Sequence, residues 1–327
     1  MTRSAFFKQL LDSWDHFWFK PTDTTTLGMM RILAGAIIFY THFVWTFEFS
    51  SFFANDQILS EEHNRMITGS LFAWSHFHWL DSIPLLWGIH FLALACMLLF
   101  CLGLGTRITG TLTAFFTISY ANRAIGATFG LDQINVMLAF YLAMAPSGSS
   151  LSLDSLLRTR KLRTNSKNSI LSAEKSTLAN FTTRLIQIHL CIIYLFAGCG
   201  KFLGVTWWNG EAIWGAIANS EYQTIDLTGL AAYPLLINLI THLALAWEAS
   251  YFILVWPKWS KPFVIFFAVI LHLGIGLAMG MVEFGLIMIT ANLAFVPPSF
   301  VKTVLQKLGL CCSFWPKDPS KGLKENN

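Results

Sequence analysis

Eight apolar runs punctuate this chain, at about residues 27–47, 83–105, 107–121, 131–146, 182–203, 231–256, 262–280 and 282–298. A hydrocarbon layer ~30 Å thick takes about 20 helical residues to cross. The pattern therefore predicts an all-α fold, a polytopic transmembrane helical bundle of about eight spans. The third and fourth runs are short, which leaves open a tilted or re-entrant pair there. Ahead of the first run, Ser4 to Lys20 sets Phe6, Phe7, Leu10, Leu11, Trp14, Phe17 and Trp18 at helical spacing, with Lys8, Gln9, Asp12, Asp15 and His16 opposite. That pattern suits an amphipathic helix lying in the membrane interface and stopped by Pro21. A helix packed on the bundle would differ only in what covers its aromatic stripe. No secretory leader is expected at the start. The chain thus divides into an interfacial helix (1–26), a membrane domain (27–300) and a cytoplasmic tail (301–327). The polar stretch 147–180 interrupts the membrane domain and reads as a flexible cytoplasmic linker. No internal repeat is evident, and the GxxxG spacings Gly126/Gly130, Gly200/Gly204 and Gly276/Gly280 predict close helix packing.

Composition agrees with the membrane reading. Charged residues make up 12% of the 327 and AVILMFWYC 54%, against about 25% charged in soluble domains. Disordered, disulfide-scaffold and nucleic-acid-binding classes are thereby excluded. Charge distribution orients the chain. With the N-terminus cytoplasmic, seventeen of the 22 Lys and Arg fall inside, Arg65 and Arg123 fall outside, and Arg31, Arg184 and Lys201 lie within runs. This bias satisfies the positive-inside rule with both termini cytoplasmic, and a bacterial inner (plasma) membrane is the expected location. The outer loop 48–82 carries Glu48, Asp56, Glu61, Glu62 and Asp81. Within it, Trp74, His76-Phe77-His78 and Trp79 read as an interfacial aromatic belt.

Metal chemistry finds no spacing to support it. Cys96, Cys101, Cys191 and Cys199 lie in apolar runs, Cys311-Cys312 sits in the tail, and no CxxC occurs. His42, His90, His189, His242 and His272 lie in spans without HxxH, HxxxH or HExxH spacing, so no metal is expected. Ionisable groups inside spans are the better leads, because each is expensive to keep there. The topology sets Lys201, Asp132, Arg123 and Glu283 at one outer depth. Lys201 follows the small run Ala197-Gly198-Cys199-Gly200, with no acid nearby in sequence. An ammonium walled by apolar groups loses the hydration that favours its charge, which makes lysine a usable base; the other reading is a lysine snorkelling to the interface. Asp132 either caps span four or pairs with Arg123. Arg31 and Arg184 suit lipid or helix–helix contacts. Glu248, near His242, is either part of a proton relay or a hydrogen-bonded packing glutamate.

Several of these segments resemble a known family. Phe19-Lys20-Pro21 and Leu27-Gly28-Met29-Met30-Arg31-Ile32-Leu33 are similar to the entry of the HTTM (horizontally transferred transmembrane) domain, the membrane module of the vitamin K-dependent γ-carboxylase-like family. Span five resembles it more closely, through Arg184-Leu185-Ile186-Gln187, Tyr194-Leu195-Phe196-Ala197-Gly198, Lys201 and Trp207-Trp208-Asn209-Gly210. Ser152-Leu153-Asp154, His272-Leu273-Gly274 and Met279-Gly280 agree, while Gly130-Leu131-Asp132-Gln133 occupies the place of the family's Asn-His pair. The resemblance implies a membrane enzyme with Lys201 as the base toward a quinol or vitamin K-type lipid. It also implies Asp132 and Arg123 beside the base, and Trp207, Trp208, Gln187, Glu283 and His272 as substrate-binding candidates. In the carboxylases the deprotonated quinol reacts with oxygen, and the strong base so formed removes a glutamate γ-proton before CO2 adds, a lyase-like reaction. Such a reaction here would call for an extramembrane partner protein beside the membrane lipids. A transporter and a non-catalytic accessory or maturation protein are the other classes left open.

Overall fold

The computed structural model describes residues 3–54, 66, 74–80, 82–165 and 175–309, and within them the fold is helical apart from one two-residue strand pair. Helix α1 (Arg3–Phe19) leads through strand β1 (Thr22–Asp23) into α2 (Thr25–Val44), which runs on through a 3-10 turn into α3 (Phe49–Phe53). Then come α4 (Ile83–Leu102), α5 (Thr106–Arg123), α6 (Gly130–Met144) and α7 (Leu153–Asn165). Strand β2 (Lys175–Ser176) precedes α8 (Thr177–Lys201), and two short helices follow, α9 (Val205–Trp208) and α10 (Ala212–Ile217). The chain closes with α11 (Pro234–Leu254), α12 (Lys261–Ala278), α13 (Val282–Asn292) and α14 (Pro298–Lys307).

Five helical stretches are long and apolar enough to cross a membrane: Thr25–Phe53, α4, α8, α11 and α12. A sixth candidate, Val282–Phe295 with α14, bends by 120°. The remaining expected runs give shorter or more polar helices. α6 has 15 residues, and α5 is rich in threonine, whose hydroxyls turn back onto the helix. Exposed Thr111 and buried Thr117 each donate to the carbonyl four residues earlier at 2.8 Å, which for Thr117 satisfies the hydroxyl inside the bundle.

One contiguous core runs from Leu27 to Phe295. A small satellite of Leu151, Val301 and Leu305 sits beneath α14, so the expected boundary at residue 300 falls inside a packed helix. α1 settles its two readings differently at its two ends. Phe6, Phe7, Leu10, Leu11 and Trp14 are all more than half exposed, whereas Phe17 and Trp18 dock on Trp256 and Phe181.

The expected flexible linker corrects to ordered structure over 147–165. Fully buried Arg31 explains much of it, since its Nη1 donates to Ser147 O at 2.9 Å and its Nη2 to Leu151 O at 2.5 Å. Its guanidinium lies against Gly103, where a Cβ would come within 2.5 Å of Nη1; the φ of +75° there is open to glycine at little strain. Asp154 then caps α5, accepting from Gly105 N, Thr106 N and Thr106 Oγ1 at 2.8–2.9 Å. The aromatic belt is also corrected. Trp79 is exposed, but His76 and Phe77 are buried, and His76 Nδ1 meets Ser119 Oγ at 2.6 Å. Asp56, Glu61, Glu62, Arg65, Asp81 and Cys311-Cys312 lie outside the described residues.

Candidate functional site

α8 carries Tyr194, Ala197, Gly198 and Lys201 at spacings of three, four and seven, which puts them on one helix face. That face meets α11. At Gly198 the backbones approach so closely that a Cβ would lie 2.9 Å from Ala249 N. The close approach lets Glu248 reach across, and its Oε2 sits 2.5 Å from Lys201 Nζ. In sequence Lys201 has no acid nearby, and Glu248 stands near His242. The structure pairs Lys201 with Glu248, while His242 Nδ1 meets Asn238 O on its own helix at 2.9 Å. The Lys201 ammonium also lies 5.1 Å from the centre of the Trp207 ring, in reach of its π face.

The pair borders a cavity of about 310 Å3 lined also by Tyr194, His189, His272, Gln133 and apolar groups including Phe284. This volume is at the lower end of the about 300–1,000 Å3 of small-molecule sites. Beneath it runs a chain of buried polar side chains. Tyr251 Oη donates to Asn292 Oδ1 at 2.7 Å, Asn292 Nδ2 donates to Tyr194 Oη at 3.0 Å, and Tyr194 Oη meets His272 Nε2 at 2.7 Å. The direction of the Tyr194–His272 bond follows the His272 tautomer: when Tyr194 Oη donates to Nε2, the ring proton sits on Nδ1. That Nδ1 is buried and has no hydrogen-bond partner among the described residues. The cavity is thus lined by a histidine with one unpartnered ring nitrogen beside an ammonium–carboxylate pair. A buried polar group left unpaired costs about 1–3 kcal/mol, so a ligand group that pairs with it gains what the bundle forgoes.

Other candidates are placed elsewhere. Asp132 caps α6, its Oδ2 accepting from Phe129 N at 3.0 Å, and it borders a separate void of about 10 Å3 with His42 and Tyr120. Its helix neighbours Gly130 and Gln133 line the Lys201 cavity instead. Arg123 is fully buried, with Nη2 donating to Phe53 O and Ala54 O. Gln187 joins helices rather than lining the cavity: its Nε2 donates to Ala294 O at 2.7 Å, and its Oε1 accepts from Arg184 Nη1 at 2.8 Å. Arg184 itself lies over the Phe17 ring, anchoring α1. Trp208 is exposed and donates to Phe202 O, and Glu283 is half-buried in the first turn of α13. Lys201, Trp207 and His272 are therefore the candidates that the fold gathers. Glu248, Tyr194, His189 and Gln133 complete the site. The sequence offers Glu248 and His189 as ionisable residues within spans and Tyr194 within the span-five motif; the only hint that Glu248 reaches Lys201 is the small-residue run before it, which marks where a second helix comes close.

Comparison of the chain with protein-family models, with curated proteins and with solved structures gives no match.

Proposed function

We propose that this chain is an integral membrane protein similar to the HTTM, vitamin K-dependent γ-carboxylase-like family, and that Lys201 is the base of a membrane enzyme acting on a lipid quinol. The five long apolar helices support the membrane part. The eight traverses, the cytoplasmic termini and the bacterial plasma membrane belong to the same proposal, resting on the basic-residue bias.

The observation that carries the chemical part is the pairing of Lys201 and Glu248 in one cavity with His272, whose Nδ1 has no hydrogen-bond partner among the described residues. In a confined site, proton transfer from the ammonium to the carboxylate gives a neutral amine and a neutral acid without moving net charge. The amine then takes a proton from a ligand hydroxyl. The oxyanion left behind lies against the new ammonium, and in this proposal a proton on His272 Nδ1 would bond it. The residues fit the hydroxylated ring of a quinol, with one polar edge toward Lys201 and His272 and apolar wall from Ile193, Met288 and Phe284 along the ring. An isoprenoid tail would extend beyond so small a cavity.

The test is turnover of a reduced naphthoquinone by the protein in liposomes. Lys201→Met is expected to abolish turnover while binding stays within a few-fold, and His272→Phe to weaken binding about tenfold, which is ~1.4 kcal/mol. Full turnover by Lys201→Ala would overturn the reading. The Lys201–Glu248 pair also suits proton-coupled transport. Solute uptake without chemical change, lost in Glu248→Gln, would favour that alternative.

A further inference from the structure

At the opposite end of α8 from Lys201 lies a larger groove, of about 760 Å3, that the proposed chemistry does not use. Its walls come from the first turns of α5 and α8, the end of α6 with the turn after it, and α7. Two guanidiniums from different helices border it: Arg107, which is exposed, and Arg158, whose Nη2 donates to Ser149 O at 3.2 Å. The acid in the groove is Asp154. Burial pushes its carboxyl up, but bonds from Thr106 N, Gly105 N and Thr106 Oγ1, with the Arg31 charge behind them, outweigh this and hold it below the usual carboxylate range. Asp154 therefore spends its charge on the α5 N-terminus. Beside the arginines, Ile108, Met144 and Leu178 present exposed apolar side chains to the same groove. A basic end continuous with an apolar wall is the complement of an anionic amphiphile.

We propose that this groove binds a phosphate ester between Arg107 and Arg158, the headgroup of an anionic phospholipid whose acyl chain lies along Ile108, Met144 and Leu178. Arginine forks match phosphate oxygens two at a time, and basic residues at a helix end draw anionic lipid from the surrounding leaflet. The site stands apart from the Lys201 cavity and does not depend on the chemistry proposed there.

The experiment is native mass spectrometry of the full chain released from mixed micelles of phosphatidylglycerol and phosphatidylcholine. Glycerol 3-phosphate serves as the free-ester arm. Wild type is expected to retain phosphatidylglycerol about thirtyfold over phosphatidylcholine, as two basic contacts of about 1 kcal/mol each predict. R107Q/R158Q is expected to lose the preference. Thr111→Trp, which fills the groove while keeping both charged residues, should lose retained lipid as well. Thermal midpoints within a few degrees of wild type establish that both variants fold. If glycerol 3-phosphate at millimolar concentration displaces the lipid, the phosphate ester alone is read; if it does not, the acyl chain contributes. Equal retention of the two lipids by wild type, or an undiminished preference in R107Q/R158Q, would overturn the proposal.

Discussion

Gly198 on α8 stands so close to Ala249 on α11 that a methyl group added to it would lie 2.9 Å from the Ala249 nitrogen. The obstacle is backbone, which cannot turn aside as a side chain would. Gly198→Ala gains about 1 kcal/mol of helix propensity but meets overpacking of about 1–3 kcal/mol. The expected outcome is a thermal midpoint lowered by a few degrees in detergent. Weaker binding of ligand in the Lys201 cavity should accompany it, because Glu248 follows the helix that is displaced. An unchanged midpoint and unchanged binding would show that the two helices can separate freely.

Removing one partner of the Lys201–Glu248 pair leaves a confined charge uncompensated. Lys201→Met and Glu248→Leu are each expected to destabilise by about 3 kcal/mol, with the double variant regaining at least half of that sum. Thermal or denaturant midpoints of the four proteins close the cycle. Simple additivity would mean that the 2.5 Å contact contributes nothing.

Tyr194 holds two partners at once. In Tyr194→Phe, His272 Nε2 loses its partner and Asn292 Nδ2 loses one acceptor while keeping Met288 O at 2.9 Å. The cost expected from the unpaired ring nitrogen is about 1–3 kcal/mol. The His272 ring is also freed to change tautomer. The matching measurement is the ring nitrogen chemical shifts of His272, where wild type should show the proton on Nδ1 and Tyr194→Phe a mixture.

Acid should weaken the fold through groups outside the long helices. Burial, with a smaller contribution from His78, pushes His76 down to about 4. Its unfolded value lies near 6.5. Between those values the unfolded chain binds the extra proton, so the stabilising contribution is complete above about 6.5 and fades as pH falls toward 4. His76→Phe should flatten that part of a stability–pH curve. Asp23 acts in the same direction at lower pH. Burial raises its carboxyl, but Lys302 and Thr25 hold it below the usual carboxylate range, so its contribution is present above the unfolded value and lost on further acidification. Asp23 is partly exposed, so Asp23→Asn should cost no more than about 1 kcal/mol.

Much of the architecture was legible because apolar runs and the positions of basic residues report on helices directly. The α1 stripe, the long spans and Lys201 at the end of α8 all follow from periodicity. What the pattern could not convey is which helix faces which. Glu248 reads as a neighbour of His242, yet a helix turns them to different surroundings. The apolar runs set Asp132 and Lys201 at one expected depth, yet the two border different spaces, since α6 presents Gln133 rather than Asp132 to the cavity. The turn after α6 looked like a linker because its residues are small and polar. Its order comes from a distant guanidinium, Arg31, which no local pattern announces.

At Asp23 three separated stretches of chain come together. Thr22 and Asp23 pair with Ser176 and Lys175, and the Asp23 carboxylate is bound by Lys302 from α14. During synthesis, β1 leaves the ribosome long before either partner. The corner must therefore wait, first for β2 and then for α14, before it can close. A chain halted before Pro298 would hold α1 by the strand pair and by its contacts with α8, where Asn180 Nδ2 and Arg184 Nε both donate to Phe17 O.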